Sequence, residues 1–377
     1  MTGRVYADYN AGAPLRPEAA QAMREVLAWA GNPSGAHREG ARARRAVEAA
    51  RLEVARLAGA EPDEVVFCSG ATEANALALR TACRTGAHVV TTAIEHASVA
   101  APLAAAADHG TRVTRVGVDR DGRIDAAGVA AACEPSTALV SIGWANGEVG
   151  SIAPLEAVVT AARARGVPVH TDGAQAAGRL PIDMRGLGLD LVSLSAHKLG
   201  GPSGVGALLV RRGTGLEPLL RGGPQERGRR AGTENLIGIV GFGAAAAAAR
   251  AALPREAERL HGLTEALWRR VSLAVPDVVR NGPPDDVLPG TLNVTVPGVS
   301  GEALLVLLDL AGVAASLGSA CAAGSPEPSH VLRAMGRSEA QARSGLRLSL
   351  GWATSVDDID RLGAAFADVT TRARAAA

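Results

Sequence analysis

Short apolar, β-branched runs alternate with amphipathic segments along most of the chain, and this alternation predicts strands that alternate with helices. Two of the segments with helical spacing are Arg42–Ala58 and Leu155–Arg165. A chain of this kind favours the α/β class, with a mainly parallel sheet flanked by helices. The predicted strands of the sheet are Glu64–Cys68, His88–Thr92, Arg112–Val116, Ala138–Trp144, Val167–Thr171, Leu191–Ser195 and Gly206–Arg211.

The pattern changes near Leu253 and Pro254, and the remainder predicts a smaller α+β unit. A long polar helix (Arg255–Leu273) is predicted to come first, followed by a loop at Asn281–Pro289. We predict a large domain of residues 14–253, and a small domain of residues 1–13 and 254–377. The later predicted elements are strands Thr291–Val296, Val313–Ser316 and Leu346–Leu350, and helices Glu302–Leu310, Ser329–Met335 and Val356–Arg374.

Composition narrows the class of protein. The 377 residues include 39 basic and 38 acidic side chains, a balance that argues against a nucleic-acid or membrane-surface partner. The N-terminus carries no apolar signal-peptide core, and the longest apolar run, Leu236–Ala249, is shorter than the roughly 20 residues a bilayer requires. Four cysteines without C-x-x-C spacing argue against a metal site or a disulfide framework. We therefore expect a cytoplasmic protein.

A lysine and an aspartate follow two of the predicted strands. Lys198 comes after the apolar run Leu191–Ser195, and Asp172 comes after Val167–Thr171. Ligands of parallel sheets gather at the carboxyl ends of the strands, so both side chains are expected at one site. A partly desolvated lysine suits a Schiff base, and a carboxylate suits a pyridinium nitrogen, which together indicate pyridoxal phosphate (PLP). The alternative is a strand-end ion pair.

The segment Val65–Asn75 reads as a strand, a glycine turn and the start of a helix, with Thr72 near the cap. Free N–H groups and the helix dipole at such a start favour an anion, and a phosphate fits that description. The glycine spacing matches neither a P-loop nor a dinucleotide fingerprint. An ordinary capped helix is the alternative interpretation.

Four other residues are candidates for chemistry. His96 follows a strand and either stacks on a flat ring, relays protons or caps a helix. Asn146 ends another strand, where turn formation alone explains an Asn-Gly pair. Arg347 lies among apolar neighbours and needs a carboxylate from the protein or from a substrate. Cys321 lies in a loop of small residues, which suits a mobile nucleophilic thiolate, with an incidental loop cysteine as the alternative.

Together these segments resemble the cysteine desulfurases, PLP-dependent enzymes of fold type I in the class V aminotransferase group. The resemblance runs through nearly the whole chain. It rests on the segments Tyr9-Asn-Ala-Gly-Ala-Pro14, Asn32-Pro-Ser-Gly-Ala-His37, Ser69-Gly-Ala-Thr-Glu-Ala-Asn75, Glu95-His96, Asn146-Gly-Glu-Val-Gly150, Thr171-Asp-Gly-Ala-Gln175, Ser195-Ala-His-Lys198, Gly223-Pro-Gln-Glu-Arg-Gly-Arg-Arg-Ala-Gly-Thr233, Gly318-Ser-Ala-Cys321, Glu327-Pro-Ser-His-Val-Leu-Arg333 and Arg347-Leu-Ser-Leu-Gly351.

The resemblance implies a role for each matching residue. Catalysis would use Lys198, His96 and Cys321, with Cys321 taking the substrate sulfur as a persulfide. Asn146 and Arg347 would bind the substrate carboxylate. Thr233 would reach the phosphate from a second subunit, which implies a homodimer. The implied cofactor-binding set is Ala71, Thr72, His96, Asp172, Gln175, Ser195, His197, Lys198 and Thr233.

The implied reaction converts L-cysteine to L-alanine and passes the sulfur to an acceptor protein, for iron–sulfur cluster assembly or for thiolation. Two related activities stay open, selenocysteine lyase and aminotransferase. A non-catalytic scaffold of the same fold is a third possibility, and intact Lys198 and Asp172 argue against it.

Overall fold

The computed structural model describes residues 3–318 and 327–375. In chain order, the strands of these residues are β1 (Val5–Tyr6), β2 (Val65–Cys68), β3 (His88–Thr92), β4 (Arg112–Val116), β5 (Thr137–Gly143), β6 (Val169–Asp172), β7 (Leu191–Ser195), β8 (Gly206–Val210), β9 (Val279–Asn281), β10 (Thr291–Thr295), β11 (Val313–Ala314) and β12 (Gly345–Ser349). The helices are α1 (Pro17–Val26), α2 (Arg38–Ala58), α3 (Ala71–Ala82), α4 (Ala97–Asp108), α5 (Ala126–Ala132), α6 (Leu155–Arg163), α7 (Met184–Leu187), α8 (Leu236–Ala274), α9 (Gly301–Leu310), α10 (His330–Ala334), α11 (Glu339–Arg343) and α12 (Val356–Ala375).

The large sheet has seven strands within the described residues, in the spatial order β2-β8-β7-β6-β5-β3-β4. Neighbours from β7 to β4 pair in parallel, whereas β8 pairs antiparallel with both β7 and β2. Each strand predicted for this sheet is confirmed, with ends that differ by two residues at most. The mainly parallel α/β architecture is therefore confirmed.

Both faces of this sheet are buried, because alternate side chains of one strand enter different cores. Val65 and Phe67 of β2 join the cluster that α2, α6 and α8 cover. Val66 and Cys68 of the same strand join a second cluster, built mainly with α3 and α4. Helices on both faces leave the strand ends as the place where a ligand can reach the sheet.

A second core is built from the C-terminal elements. The strands β12, β10 and β9 form an antiparallel sheet, and β1 pairs in parallel with β11. Val5 and Ala7 pack in this core with Leu292 and Leu348. That packing supports the predicted small domain, whose boundaries stay a prediction. The strand β9 was missed, because its three residues border a segment rich in proline and glycine.

Helix α8 runs from Leu236 to Ala274 and contains Pro254, so the predicted separate helix starting at Arg255 is wrong. The residues before Pro254, such as Phe242, pack in the core of the large sheet. Those after it, such as Leu267, pack in the C-terminal core. A proline costs a helix one backbone hydrogen bond, but burial on both sides of position 254 outweighs that loss.

By length and composition alone, α8 would also be able to cross a membrane. Long core helices of soluble proteins meet the same criterion, so this is weak evidence. Ile239, Phe242 and Ala246 are buried in the core, which accounts for the apolar character of the helix.

A buried ion pair joins α2 to the loop after β8. Arg51 donates to both carboxylate oxygens of Glu226 at 2.8 Å, and the backbone N–H of Phe67 donates to Glu226 at 2.9 Å. Glu226 and Arg227 have φ of 47° and 57°, a conformation that costs free energy for residues other than glycine. The buried carboxylate therefore holds a strained turn in place.

We expect Glu226→Gln to lower the free energy of unfolding by about 3–5 kcal/mol, because Arg51 would lose its buried countercharge. Chemical denaturation measures the change. Glu48→Gln is the matched control, since Glu48 also pairs with Arg51 but its side chain is 50% exposed, against 2% for Glu226. We expect the control to cost less than about 1 kcal/mol. Equal losses in the two variants would contradict the argument from burial.

Candidate active site

A cavity of about 560 Å³ opens at the carboxyl ends of β5, β6 and β7. This is the edge of the sheet where the sequence predicted a site. Of the predicted residues, those that line the cavity are Ala71, Thr72, His96, Asn146, Asp172, Gln175, Ser195, His197, Lys198 and Arg347.

Lys198 follows strand β7, as the sequence predicted, and ends one turn of 3₁₀ helix (Ala196–Lys198). Its Nζ donates hydrogen bonds to the backbone carbonyls of Asn10 and, at 3.1 Å, of Ala11. The amine is thereby held beside the N-terminal segment, at the rim between the two cores.

Desolvation by burial, reinforced by the charges of Arg347 and Arg179, lowers the pKa of Lys198 to about 8. The sequence contains 38 arginines and this single lysine. A guanidinium stays protonated in proteins and cannot act as a free amine. A chain that uses arginine at every other basic position therefore has its side-chain amine only in this cavity. The number of lysines in the sequence was thus a signal for Lys198 that the motif analysis did not use.

Asp172 ends β6 and faces the same cavity. Asn75 donates from Nδ2 to one carboxylate oxygen at 2.7 Å, and the backbone N–H of Ala174 donates to the other at 3.0 Å. Gln175 donates from Nε2 to the carbonyl of Asn10 at 3.0 Å. Its Oε1 is buried and has no hydrogen-bond partner among the described residues. The cavity thus holds an oriented carboxylate and an amide oxygen in need of a partner.

The 12-residue helix α3 begins at Ala71, on the cavity wall. Gly70 is its N-cap, so no side chain caps the first N–H groups, and Thr72 lies in the first turn. Ser195 and His197 join this wall, with Oγ and Nδ1 2.8 Å apart. Burial, with a smaller effect of Lys198, lowers the pKa of His197 to about 4 and keeps its ring neutral. These groups could hold an anion of phosphate size.

His96 is the N-cap of α4 and also lines the cavity. Its Nδ1 accepts from the backbone N–H of Ser98 at 3.1 Å and lies 2.7 Å from the Ser98 hydroxyl. Desolvation lowers the pKa of His96, opposed by the charge of Asp172. The capping interpretation and the cavity-facing interpretation therefore hold together.

The amide of Asn146 is largely used by its own turn. Its Oδ1 accepts from the N–H groups of Glu148 and Val149 at 2.8 and 3.0 Å, and its Nδ2 donates to Ile94. One amide hydrogen is left for a ligand, because Nδ2 carries two. Turn formation and ligand contact are both compatible with this position.

Arg347 is 2% exposed and lies on β12, where it reaches the cavity from the C-terminal core. One Nη donates to Asp8 at 2.7 Å and the other to the carbonyl of Gly147 at 3.0 Å. Its Nε is buried without a partner among the described residues. The protein thus supplies one carboxylate, and burial raises the pKa of Asp8 against the effect of Arg347.

Comparison with known proteins identifies the family. A family model described as "Aminotransferase class-V" matches residues 5–362. A "Cysteine desulfurase" of Cereibacter sphaeroides is 45% identical over 95% of this chain and 94% of its own length. The chain belongs to the class-V aminotransferase family and, within it, to the cysteine desulfurases.

Solved structures agree with this assignment. A protein described as "NIFS-LIKE PROTEIN" has a TM-score of 0.91 at 32% identity, over 98% of this chain and 100% of that one. A structure described as "SspA in complex with cysteine" has a TM-score of 0.82 at 35% identity, over 92% of this chain and 98% of that one. The likeness therefore includes both cores of the desulfurase fold.

Two predicted residues do not line the cavity in the described structure. Thr233 is exposed and borders a neighbouring cleft of about 130 Å³, whose wall shares Ser69 and Gly204 with the large cavity.

Cys321 lies outside the described residues. Among the described residues on either side of it in the sequence, Gly318 and Ser329 both lie against the buried, cavity-lining Glu148. Ser329 donates to the Glu148 carboxylate at 2.6 Å, and a Cβ on Gly318 would lie 2.7 Å from it.

Sequence reasoning gave no role to several polar residues of this desulfurase cavity: Asn10, Glu95, Glu148 and His330. Burial raises the pKa of Glu95 to about 7, although Thr92 and the N–H of Gly143 donate to its carboxylate. His330 bonds through Nε2 to the Glu95 carbonyl at 3.0 Å. All four belong to the segments quoted above, but those segments do not show which strand end each residue meets.

Proposed function

We propose that this chain catalyses the PLP-dependent removal of sulfur from L-cysteine, with L-alanine as the product and a persulfide on Cys321. The observation that carries the proposal is Lys198. It is the chain's sole lysine, its pKa is lowered to about 8, and it shares one cavity with Asp172. Family membership supports the same conclusion.

The donor set of the cavity fits PLP. Lys198 would hold the aldehyde, and Asp172 would hold the proton on the pyridine nitrogen. The phosphate would bind the uncapped N–H groups of α3 at Ala71 and Thr72, with Ser195 and His197 beside them. His96 would cover the ring. Gln175, which lines this cavity, would donate from its amide nitrogen to the phenolic oxygen.

The chemistry divides between the cofactor and the chain. Bound PLP supplies an electron sink for the bonds at the substrate carbons. Lys198 then moves protons to and from those carbons, since its lowered pKa lets it act as a base near neutral pH. The Cys321 thiolate attacks the substrate sulfur. An S–S bond forms, and the C–S bond breaks with its electron pair left on carbon, which takes a proton to give alanine.

Arg347 and Asn146 would bind the substrate carboxylate. Arg347 lines the cavity and is fixed by Asp8 and Gly147, and its Nε has no partner among the described residues. Asn146 contributes its remaining amide hydrogen. A prepositioned arginine loses little side-chain entropy when an anion binds.

We expect Arg347→Lys to raise KM for L-cysteine about 10- to 100-fold, because lysine keeps the charge but loses the planar fork. Initial rates of alanine formation measure the effect. Arg372→Lys is the control, since Arg372 forms an exposed pair with Asp368 at the end of α12. An Arg347→Lys enzyme with unchanged KM would contradict the assigned role.

The reaction itself is tested with purified protein, PLP and L-cysteine. We expect alanine and sulfide in equal amounts when a reductant is present, and a trapped persulfide on Cys321 when it is absent. Release of selenide from selenocysteine, with no cysteine turnover, would instead favour a selenocysteine lyase. Formation of pyridoxamine phosphate and an α-keto acid would favour an aminotransferase. A protein that gains no visible absorbance from added PLP would be a non-catalytic scaffold.

We further propose that the protein acts as a cytoplasmic homodimer that hands its sulfur to an acceptor protein of iron–sulfur cluster assembly or thiolation. Thr233 supports the dimer, because it is exposed on its own subunit, and its cleft shares wall residues with the cavity. Analytical ultracentrifugation of Thr233→Ala and of the unchanged protein, together with PLP affinity, tests this. A fully active monomer would contradict it.

A further inference from the structure

Asn10 is held rigidly between the two cores. It is 1% exposed, and its backbone N–H donates to the Ser349 hydroxyl at 3.0 Å. Its Nδ2 donates to the Thr291 hydroxyl and to the Gly147 carbonyl, each at 3.0 Å. Every donor of this asparagine is therefore used to fix it against β10, β12 and the turn after β5.

Asn10 lines the cavity, and both of its oxygens accept hydrogen bonds. The backbone carbonyl accepts from Nζ of Lys198 and from Nε2 of Gln175. The side-chain Oδ1 accepts from Arg179. Asn10 thus contacts both Arg179 and the reactive amine of Lys198.

Arg179 is 7% exposed, yet it forms no ion pair with any carboxylate in residues 3–318 and 327–375. Burial, with the charge of Arg347, lowers the pKa of Arg179 to about 10, so it stays protonated at neutral pH. A buried cation without a directly paired carboxylate is costly for a fold to keep, although the more distant charge of Glu256 favours the protonated form of Arg179. The buried charge of Arg179 therefore needs an explanation other than packing. Buried charges that are not paired are concentrated at functional sites.

The charged groups that act on Lys198 differ in whether each has an ion-pair partner of its own. Arg347 and Arg179 disfavour its protonated form, whereas Asp172 and Asp8 favour it. Arg347 is already paired with Asp8 at 2.7 Å. Of the two arginines that act on the amine, Arg179 is therefore the one without a paired carboxylate among the described residues, and the adjacent His197 ring is neutral.

We propose that Arg179 is a positioning residue for Lys198, acting through Asn10 on the location of the amine and through its own buried charge on the amine's protonation. This inference deepens the proposed function and rests on Lys198 as its reactive group. A buried cation close to a lysine disfavours the protonated amine and so favours the free base. The free base is the form that condenses with an aldehyde.

The sole lysine makes the test direct. The full-length chain, freed of cofactor, is labelled with an amine reagent across a pH series, and mass spectrometry reads the peptide that contains position 198. The N-terminal amine is the other labelled amine and serves as an internal reference. Trypsin cleavage at Arg185 separates positions 179 and 198, so a lysine introduced at 179 is read independently.

Three substitutions separate charge from hydrogen bonding. Arg179→Met removes both, Arg179→Gln keeps a donor for Asn10, and Arg179→Lys keeps the charge. We expect the labelling midpoint of Lys198 to rise by on the order of one pH unit in the Met and Gln variants. The Lys variant should stay close to the unchanged protein. If the Met variant fails to fold, the Gln variant carries the test.

Arg259→Met is the matched control. Arg259 is half-buried beside the carbonyls of Gly351 and Thr354, and it is not among the main charges acting on Lys198. An unchanged midpoint in a folded Arg179→Gln protein, or equal shifts in Arg179→Gln and Arg179→Lys, would overturn the proposal. Because the readout needs no turnover, it stands apart from a failure of desulfurase activity.

Discussion

Lys198→Ala is expected to reduce alanine formation from L-cysteine by at least about 10³-fold. The loss is large because the substitution removes a group that both binds the cofactor and transfers protons. No other lysine exists in the chain to replace it. Discontinuous alanine assays with saturating PLP measure the loss, so that weaker cofactor binding does not account for it.

Lys198→Arg is the charge-matched control for this experiment. Arginine keeps a cation near the carbonyls of Asn10 and Ala11 but offers no free amine. We therefore expect Lys198→Arg to be as inactive as Lys198→Ala, with an unfolding midpoint close to that of the unchanged protein. Substantial cysteine turnover in either variant would contradict the proposed function.

The lowered pKa gives this prediction a pH signature. With a pKa of about 8, roughly one Lys198 in ten is a free amine at pH 7, against fewer than about one in a thousand at the ordinary value of 10.5. Protonation removes the free base, so condensation with an aldehyde should slow as the pH falls below about 8. The rate of absorbance change on adding PLP to cofactor-free protein across this range measures the effect.

Much of the fold followed from local patterns. The runs at His88–Thr92, Arg112–Val116 and Leu191–Ser195 form strands with the predicted ends, because each is a β-branched or apolar run bounded by turn residues. Asp172 and Lys198 could be predicted to lie together, because the carboxyl ends of parallel strands meet at one edge of the sheet. Family resemblance then supplied the detailed residue roles, which periodicity alone does not give.

Contacts between distant segments could not be read from the chain. Arg347 needed a carboxylate, and the structure supplies Asp8, which is 339 residues away in sequence. Arg179 and Asn10 could not be linked from the sequence, because they lie 169 residues apart. The break predicted at Pro254 is wrong, because the residues of α8 before and after the proline pack in two different cores and keep the helix continuous.

Cys321→Ala is expected to abolish the trapped persulfide and to lower reductant-supported sulfide release at least about 10²-fold. The three described cysteines are poor substitutes. Burial raises the pKa of Cys68 to about 12, and burial also raises the pKa of Cys83 and of Cys133. A raised pKa removes thiolate at neutral pH, and the thiolate is the nucleophile. Persulfide trapping by alkylation and mass spectrometry measures the outcome.

Cys133→Ser is the matched control, because Cys133 is the least buried of the three described cysteines and donates only to the Val129 carbonyl. It should keep both persulfide and sulfide release. Gly318 and Ser329, described residues on either side of Cys321 in the sequence, both lie at Glu148 on the cavity wall. Alanine formation that continues unchanged in Cys321→Ala would therefore remove sulfur transfer from the mechanism while leaving the role of Lys198 intact.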